Sequence, residues 1–212
     1  MTSMKRLVQF DVDSTFIQQE AIELLAEKAG VLHEVAQITE SAMRGELDFA
    51  ESLVARVALL KGLPETVFDE VRKDITLTPG AAELVLLLHQ NGHCVSLVSG
   101  GFINVIQPMV DELKIDFFKA NELEVVDGYL TGNVIGSIVD RASKAVALKE
   151  FASQSNVELE NTVAIGDGAN DLDMMAVAGI SIAFNAKPIV SAAADYSINE
   201  PSLASVAAII GL

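Results

Sequence analysis

Apolar positions recur along this chain in two rhythms. Short runs in which nearly every residue is apolar alternate with longer stretches in which apolar residues return every three or four positions. The first rhythm suits strands buried on both faces; the second suits helices with one buried stripe. The pattern predicts an opening strand at 5–10. After about residue 77 the rhythms alternate, predicting strands at 93–98, 116–118, 162–165, 180–184 and 196–198 and helices at 80–90, 102–112 and 143–154. Pro79-Gly80 opens the first of these helices and Asn91-Gly92 closes it. The expected fold is therefore α/β, a Rossmann-like parallel sheet in a three-layer arrangement with helices on both faces.

Two stretches break the alternation. Residues 15–76 carry only the helical rhythm, over Ala21 to Ala29, Glu34 to Arg44, Phe49 to Leu60 and Glu65 to Asp74, with a turn at Gly62-Leu63-Pro64. A helical block directly after the first strand suits a lid over that strand's end, though the same pattern serves an ordinary helical layer of a core. In 120–140, Glu122 to Val126 and Tyr129 to Val134 flank Asp127-Gly128, which predicts a small β-hairpin on the sheet edge. The expected organisation is a core formed by 1–14 and 77–212 with a helical cap at 15–76.

Composition narrows the function. The 212 residues are 50% hydrophobic, enough for a sizeable core without crosslinks. Lys and Arg number 14 against 30 Asp and Glu, a formal charge of −16, which argues against nucleic acid or an anionic membrane as partner. The single Cys94 excludes an internal disulfide and reads as a buried structural thiol. Asp11 and Asp13 interrupt any leader-like apolar stretch, and no apolar run reaches membrane-spanning length, so a cytoplasmic location is expected. His33, His89 and His93 have no ligand spacing, and no metal role is expected of them.

The candidate chemistry lies where predicted strands end. Leu7 to Phe10 runs into Asp11-Val12-Asp13-Ser14-Thr15, two carboxylates two positions apart. Paired acids there call for a positive partner such as a metal ion. Thr162 to Ile165 runs into Gly166-Asp167-Gly168-Ala169-Asn170-Asp171, an oxygen-rich cluster that suits a hard cation such as magnesium. Between them stand Ser99-Gly100-Gly101, where backbone N–H groups can approach a phosphate, and Lys144 at the opening of a helix.

Asp11-Val12-Asp13-Ser14-Thr15, Ser99-Gly100-Gly101-Phe102, Lys144 and Gly166-Asp167-Gly168-Ala169-Asn170-Asp171 together resemble the four motifs of the haloacid dehalogenase superfamily, in the form of its phosphoserine phosphatase branch. The resemblance runs from Lys5 to about Ile198; Phe16 and Ser143 depart from the more usual residues. It implies a Mg2+-dependent hydrolase of a small phosphomonoester, O-phospho-L-serine, at the last step of serine biosynthesis. It implies Asp11 as nucleophile, Asp13 as the acid and base for leaving group and water, and Lys144 as the neutralising amine. Metal ligands would be Asp11, Asp167 and the backbone carbonyl of Asp13, with Asp171 orienting the network. Ser99, Gly100 and Asn170 would hold phosphate oxygens. In the cap, Arg56 would pair the substrate carboxylate, Glu20 its ammonium, and Met43 and Phe49 would close the pocket. Unaided, Arg56 reads as a surface arginine on an amphipathic helix, Met43 and Phe49 as core, and Arg141 stays open. A phosphotransferase using an alcohol such as homoserine, or a receiver-type signalling domain phosphorylated on aspartate, would share part of this chemistry. The expected partner is the small-molecule substrate alone, with the chain as a monomer or homodimer.

Overall fold

The computed structural model describes residues 4–43 and 46–212. Its centre is a seven-stranded sheet: β1 (Leu7–Asp11), β2 (Cys94–Phe102), β3 (Phe117–Val126), β4 (Tyr129–Ile135), β5 (Thr162–Gly166), β6 (Ile180–Phe184) and β7 (Tyr196–Ile198). The strand order is β4-β3-β2-β1-β5-β6-β7, and every pairing is parallel except β3 with β4. β1 is buried throughout, as a central parallel strand must be. Side-chain alternation divides its burial: Val8 and Phe10 join one apolar cluster, Leu7 the other.

The helices are α1 (Ala21–Ala29), α2 (Leu32–Met43), α3 (Phe49–Ala58), α4 (Val67–Asp74), α5 (Ala81–Gln90), α6 (Ile103–Glu112), α7 (Arg141–Gln154), α8 (Leu172–Val177), α9 (Pro188–Ser191) and α10 (Ser205–Ile210). α5, α6 and α10 cover one face of the sheet, and α7, α8 and α9 cover the other. Leu25 of α1, Leu53 and Val57 of α3, and Val71 of α4 pack into the same cluster as Phe10 and Phe16. The helical block thus rests on one face of the core. None of the described helices is long and apolar enough to cross a membrane.

The structure revises several sequence expectations. The strand expected to end at 98 continues through the two glycines to Phe102. The short strand near 116–118 and the first arm of the hairpin form one strand, β3, parallel to β2 at its start and antiparallel to β4 at its end. α8, α9 and α10 were not anticipated; they are too short for an apolar rhythm to register. Cys94 is half-buried, not enclosed.

Register sets the active edge. Asp11 lies level with Val98 of β2, and Phe10 level with Ile165 of β5. Asp11 at the end of β1, Ser99 in the last half of β2 and Asp167 just after β5 therefore stand at one height, towards the carboxyl ends of the central strands.

Candidate active site

After Asp11 the chain makes a wide turn over Val12–Phe16, with Asp13 extended and Ser14 in the left-handed region at φ 57°. This turn separates the two acids that an extended strand would hold on one face. Asp11 is 4% exposed, and its Oδ1 lies 2.7 Å from Lys144 Nζ and accepts from the Val12 N–H at 2.8 Å. The Asp13 carboxylate turns elsewhere: Oδ2 accepts from the Ser99 hydroxyl at 2.7 Å and Oδ1 from the Ala21 N–H at 2.7 Å. The second of these ties the acid to the first residue of α1.

Lys144 is 1% exposed and lies 2.7 Å from both Asp11 Oδ1 and Asp171 Oδ1. Burial works against its charge, but the two carboxylates outweigh burial and hold the ammonium above the usual lysine range. Its place is fixed at the start of α7, where Asp140 caps the helix by accepting from Ser143 N–H at 2.8 Å. The other oxygen of Asp171 accepts from the Gly168 N–H at 3.0 Å, so both its oxygens are engaged. A Cβ at Gly166 would overlap the Asp171 carboxylate, which explains the glycine there. Asp167 accepts from the Thr15 hydroxyl at 3.2 Å and has no ion-pair partner among the described residues.

Carboxylate oxygens of Asp11, Asp167 and Asp171 come within 4.8 Å of one another. One ammonium does not neutralise three acids in this space. Burial pushes the Asp11 carboxyl well above the usual range, with Asp171 adding to the push and Lys144 opposing it. Burial also raises Asp167, again with Asp171 contributing. Excess negative charge among hard oxygen donors is what a divalent cation relieves, so the residues present fit a metal ion.

Asp11, Asp13 and Asp167 line a cavity of about 500 Å³ between the strand ends and the helical block, while Asp171 is buried behind them. Gly100 and Asn170 line it from the core; Glu20, Phe49 and Arg56 line it from the helices. A Cβ at Gly100 would meet Phe49 Cζ at 3.0 Å, so the ring lies close over the glycine. A Cβ at Gly101 would meet Asp13 Oδ2 at 2.6 Å, so this glycine makes room for the acid. Glu20 accepts from the Ser14 hydroxyl at 2.6 Å. Burial and the charge of Asp13 push Glu20 up to about 7, while the Ser14 hydrogen bond holds it down. Burial lowers the Arg56 guanidinium, which Glu20 and Glu23 oppose. The side chain of Met43 lies outside the described residues. Arg141 pairs with Asp173 at 2.5 Å and does not line the cavity.

Sequence reasoning passed over three residues that the structure brings to the site. Asn121, 1% exposed, donates to the Gly100 carbonyl and accepts from the Val139 N–H, both at 2.8 Å, joining the end of β2 to the segment leading into α7. Lys187 lines the cavity beside Asp167, and no periodic signal marks it. Ser52 lines it between Phe49 and Arg56 on α3; their spacing of three and four along a helix was a signal that could have found it.

A family model described as haloacid dehalogenase-like hydrolase matches residues 8–176, and the chain belongs to that family. Within it, the chain is 55% identical over 208 residues to phosphoserine phosphatase SerB2 of Mycobacterium tuberculosis, covering 98% of this chain and 51% of that protein. It is 52% identical over 210 residues to the phosphoserine phosphatase of Streptococcus thermophilus, covering 99% of this chain and 98% of that one. The chain spans about half the length of the Mycobacterium and Streptomyces coelicolor relatives it matches. A solved substrate-bound phosphoserine phosphatase complex superposes with a TM-score of 0.91 at 42% identity, covering 97% of this chain and 98% of that one. A phospho-aspartyl intermediate analogue of phosphoserine phosphatase superposes equally well, at 42% identity over 97% of this chain and 99% of that one, with a TM-score of 0.91. Membership of a hydrolase family sets aside the receiver-domain alternative.

Proposed function

We propose that this chain is a phosphoserine phosphatase, hydrolysing O-phospho-L-serine to L-serine and phosphate through an aspartyl-phosphate on Asp11. The observation that carries the reading is the placement of Asp11: buried at the end of a central strand, 2.7 Å from a buried ammonium and beside two further carboxylates.

Both contacts of Asp11 fall on Oδ1, so Oδ2 is the attacking atom. It forms a bond to phosphorus as the ester P–O bond breaks. The serine alkoxide leaves with a proton from Asp13. Water then attacks phosphorus, gives a proton to Asp13 and releases Asp11. Ser99 and Asp13 hold each other at 2.7 Å in this structure. A phosphate oxygen that takes the Ser99 hydrogen bond frees Asp13 for proton transfer, so binding itself sets the acid in play. Mg2+ would be held by Asp11, Asp167 and the Asp13 carbonyl, where it would offset the repulsion between carboxylate and phosphate. Asp171, with both oxygens engaged, orients Lys144 and the Gly168 turn. Gly100 and Asn170 complete the phosphate cradle.

Residues 15–76 act as the lid, because Glu20, Phe49 and Arg56 face the same cavity as the acids. Glu20 takes the substrate ammonium and Arg56 its carboxylate, and Phe49 shuts the cavity. The reaction completes serine biosynthesis in the cytoplasm.

Phosphate release from a panel of monoesters, with purified protein and magnesium, tests the reading. L-phosphoserine is expected to exceed O-phosphoethanolamine and p-nitrophenyl phosphate in kcat/KM by roughly a hundredfold or more, since a site built for two charged groups rejects esters lacking one or both. Comparable values across the panel would refute it.

A further inference from the structure

Ser52 is 2% exposed and lines the cavity, yet its Oγ has no hydrogen-bond partner among the described residues. A buried hydroxyl without a partner is costly, and native proteins rarely retain one without a reason. A helical serine commonly satisfies itself on the carbonyl four residues back. Here the Asp48 carbonyl accepts from the Ser52 N–H at 3.0 Å, but the hydroxyl does not add the second bond to it.

Its neighbours indicate what completes it. Phe49, Ser52 and Arg56 share one face of α3 and all line the cavity. Arg56 Nε donates to the Ser52 carbonyl at 3.2 Å, folding the guanidinium back along the helix towards Ser52. Its terminal nitrogens remain to pair a carboxylate, which would then sit beside the orphaned hydroxyl.

We propose that Ser52 is a specificity-determining residue whose hydroxyl donates a hydrogen bond to the substrate's carboxylate, beside the Arg56 guanidinium. This rests on the phosphoserine reading of the same cavity. In the free protein the hydroxyl is an unmet donor. With substrate bound it is satisfied, and an ester lacking the carboxylate leaves it unmet. The residue thus favours the amino-acid ester by rejecting simpler ones as well as by holding the right one.

Ser52→Ala and Ser52→Thr, assayed with L-phosphoserine and with O-phosphoethanolamine, which has the ammonium but no carboxylate, test the proposal. Ser52→Ala is expected to raise KM for L-phosphoserine about tenfold with kcat within about threefold, and to leave kcat/KM for O-phosphoethanolamine within about twofold. Ser52→Thr, keeping the hydroxyl, recovers at least part of the wild-type KM. Calorimetric binding of L-serine weakens in Ser52→Ala in parallel. The melting temperature of Ser52→Ala stays level or rises, because an unmet buried donor has been removed. An unchanged KM for L-phosphoserine overturns the proposal. So does an equal loss for both esters, or a fall in melting temperature with loss of all activity, which would mark the hydroxyl as structural. A wild-type protein that does not distinguish the two esters overturns the phosphoserine reading and this proposal with it; one that does, while Ser52→Ala distinguishes them equally well, overturns the role of Ser52 alone.

Discussion

Asp11 and Asp13 stand two positions apart, yet the structure gives them different company. Asp11 faces Lys144, and Asp13 faces Ser99 and the first N–H of α1. The sequence announced both acids but not this division, because it arises from the turn at Ser14, a serine held where glycine is the usual occupant. Glu20 illustrates the same limit. Its position was legible through resemblance, whereas its burial and the Ser14 hydroxyl against it belong to the folded chain. Its carboxyl, raised to about 7 in the free protein, is neutral below that pH and charged above it. An ammonium binds the charged form, so kcat/KM for L-phosphoserine should rise as pH passes upward through about 7. The Glu20→Gln variant should lose that limb of the profile along with most of its affinity. A pH–rate profile of both proteins with the same ester checks this, and an unaltered limb in the variant would assign the titration elsewhere.

α3 carries Phe49, Ser52 and Arg56 on one face, and its start is fixed by a reciprocal cap. Asp48 accepts from the Glu51 N–H at 2.7 Å and its own N–H donates to Glu51 at 3.0 Å. Phe49 is the first residue after that cap, so the cap sets where its ring meets Gly100. The Asp48→Ala variant should lose about 1 kcal/mol of stability in denaturant melts and show a raised KM with kcat little altered. A stable variant with unaltered KM would mean the cap has no part in shaping the cavity. The amphipathic rhythm revealed α1, α3 and α4 close to their observed limits, since each buries a continuous stripe. It failed for β3, where one strand serves two pairings and changes its surroundings midway. It failed for α8 to α10 because six residues or fewer do not complete two turns of a stripe.

Across the whole molecule, the proposed activity requires a chain of charge −16 to admit an anionic ester. Among the described residues lining the cavity only Arg56 and Lys187 are cationic, while Lys144 is already shared between two acids. The account therefore depends on a divalent ion to reverse the local field. Magnesium should raise the melting temperature of the wild-type protein, and the Asp167→Asn variant should lose most of that shift. Thermal melts with magnesium and with chelator check this without reference to turnover; equal melting temperatures in both would contradict it. The overall α/β sheet and the height of the edge carrying the acids were legible because the central parallel strands are mostly apolar and end in polar clusters. Lys187 was not, because one lysine before a proline has no pattern to belong to. Ser52 was not, because its lack of a partner exists only once the chain is folded.

The most direct test is to trap the phosphoenzyme. Protein mixed with L-phosphoserine and magnesium, quenched in acid within the first turnovers and digested for mass spectrometry, should yield the peptide containing Asp11 with one added phosphoryl group. That species should be absent from the Asp11→Asn variant, which should also fail to turn over. Steady phosphate release with the phosphoryl group on another residue, or sustained turnover in Asp11→Asn, would contradict the assignment of Asp11 as the group that accepts phosphorus.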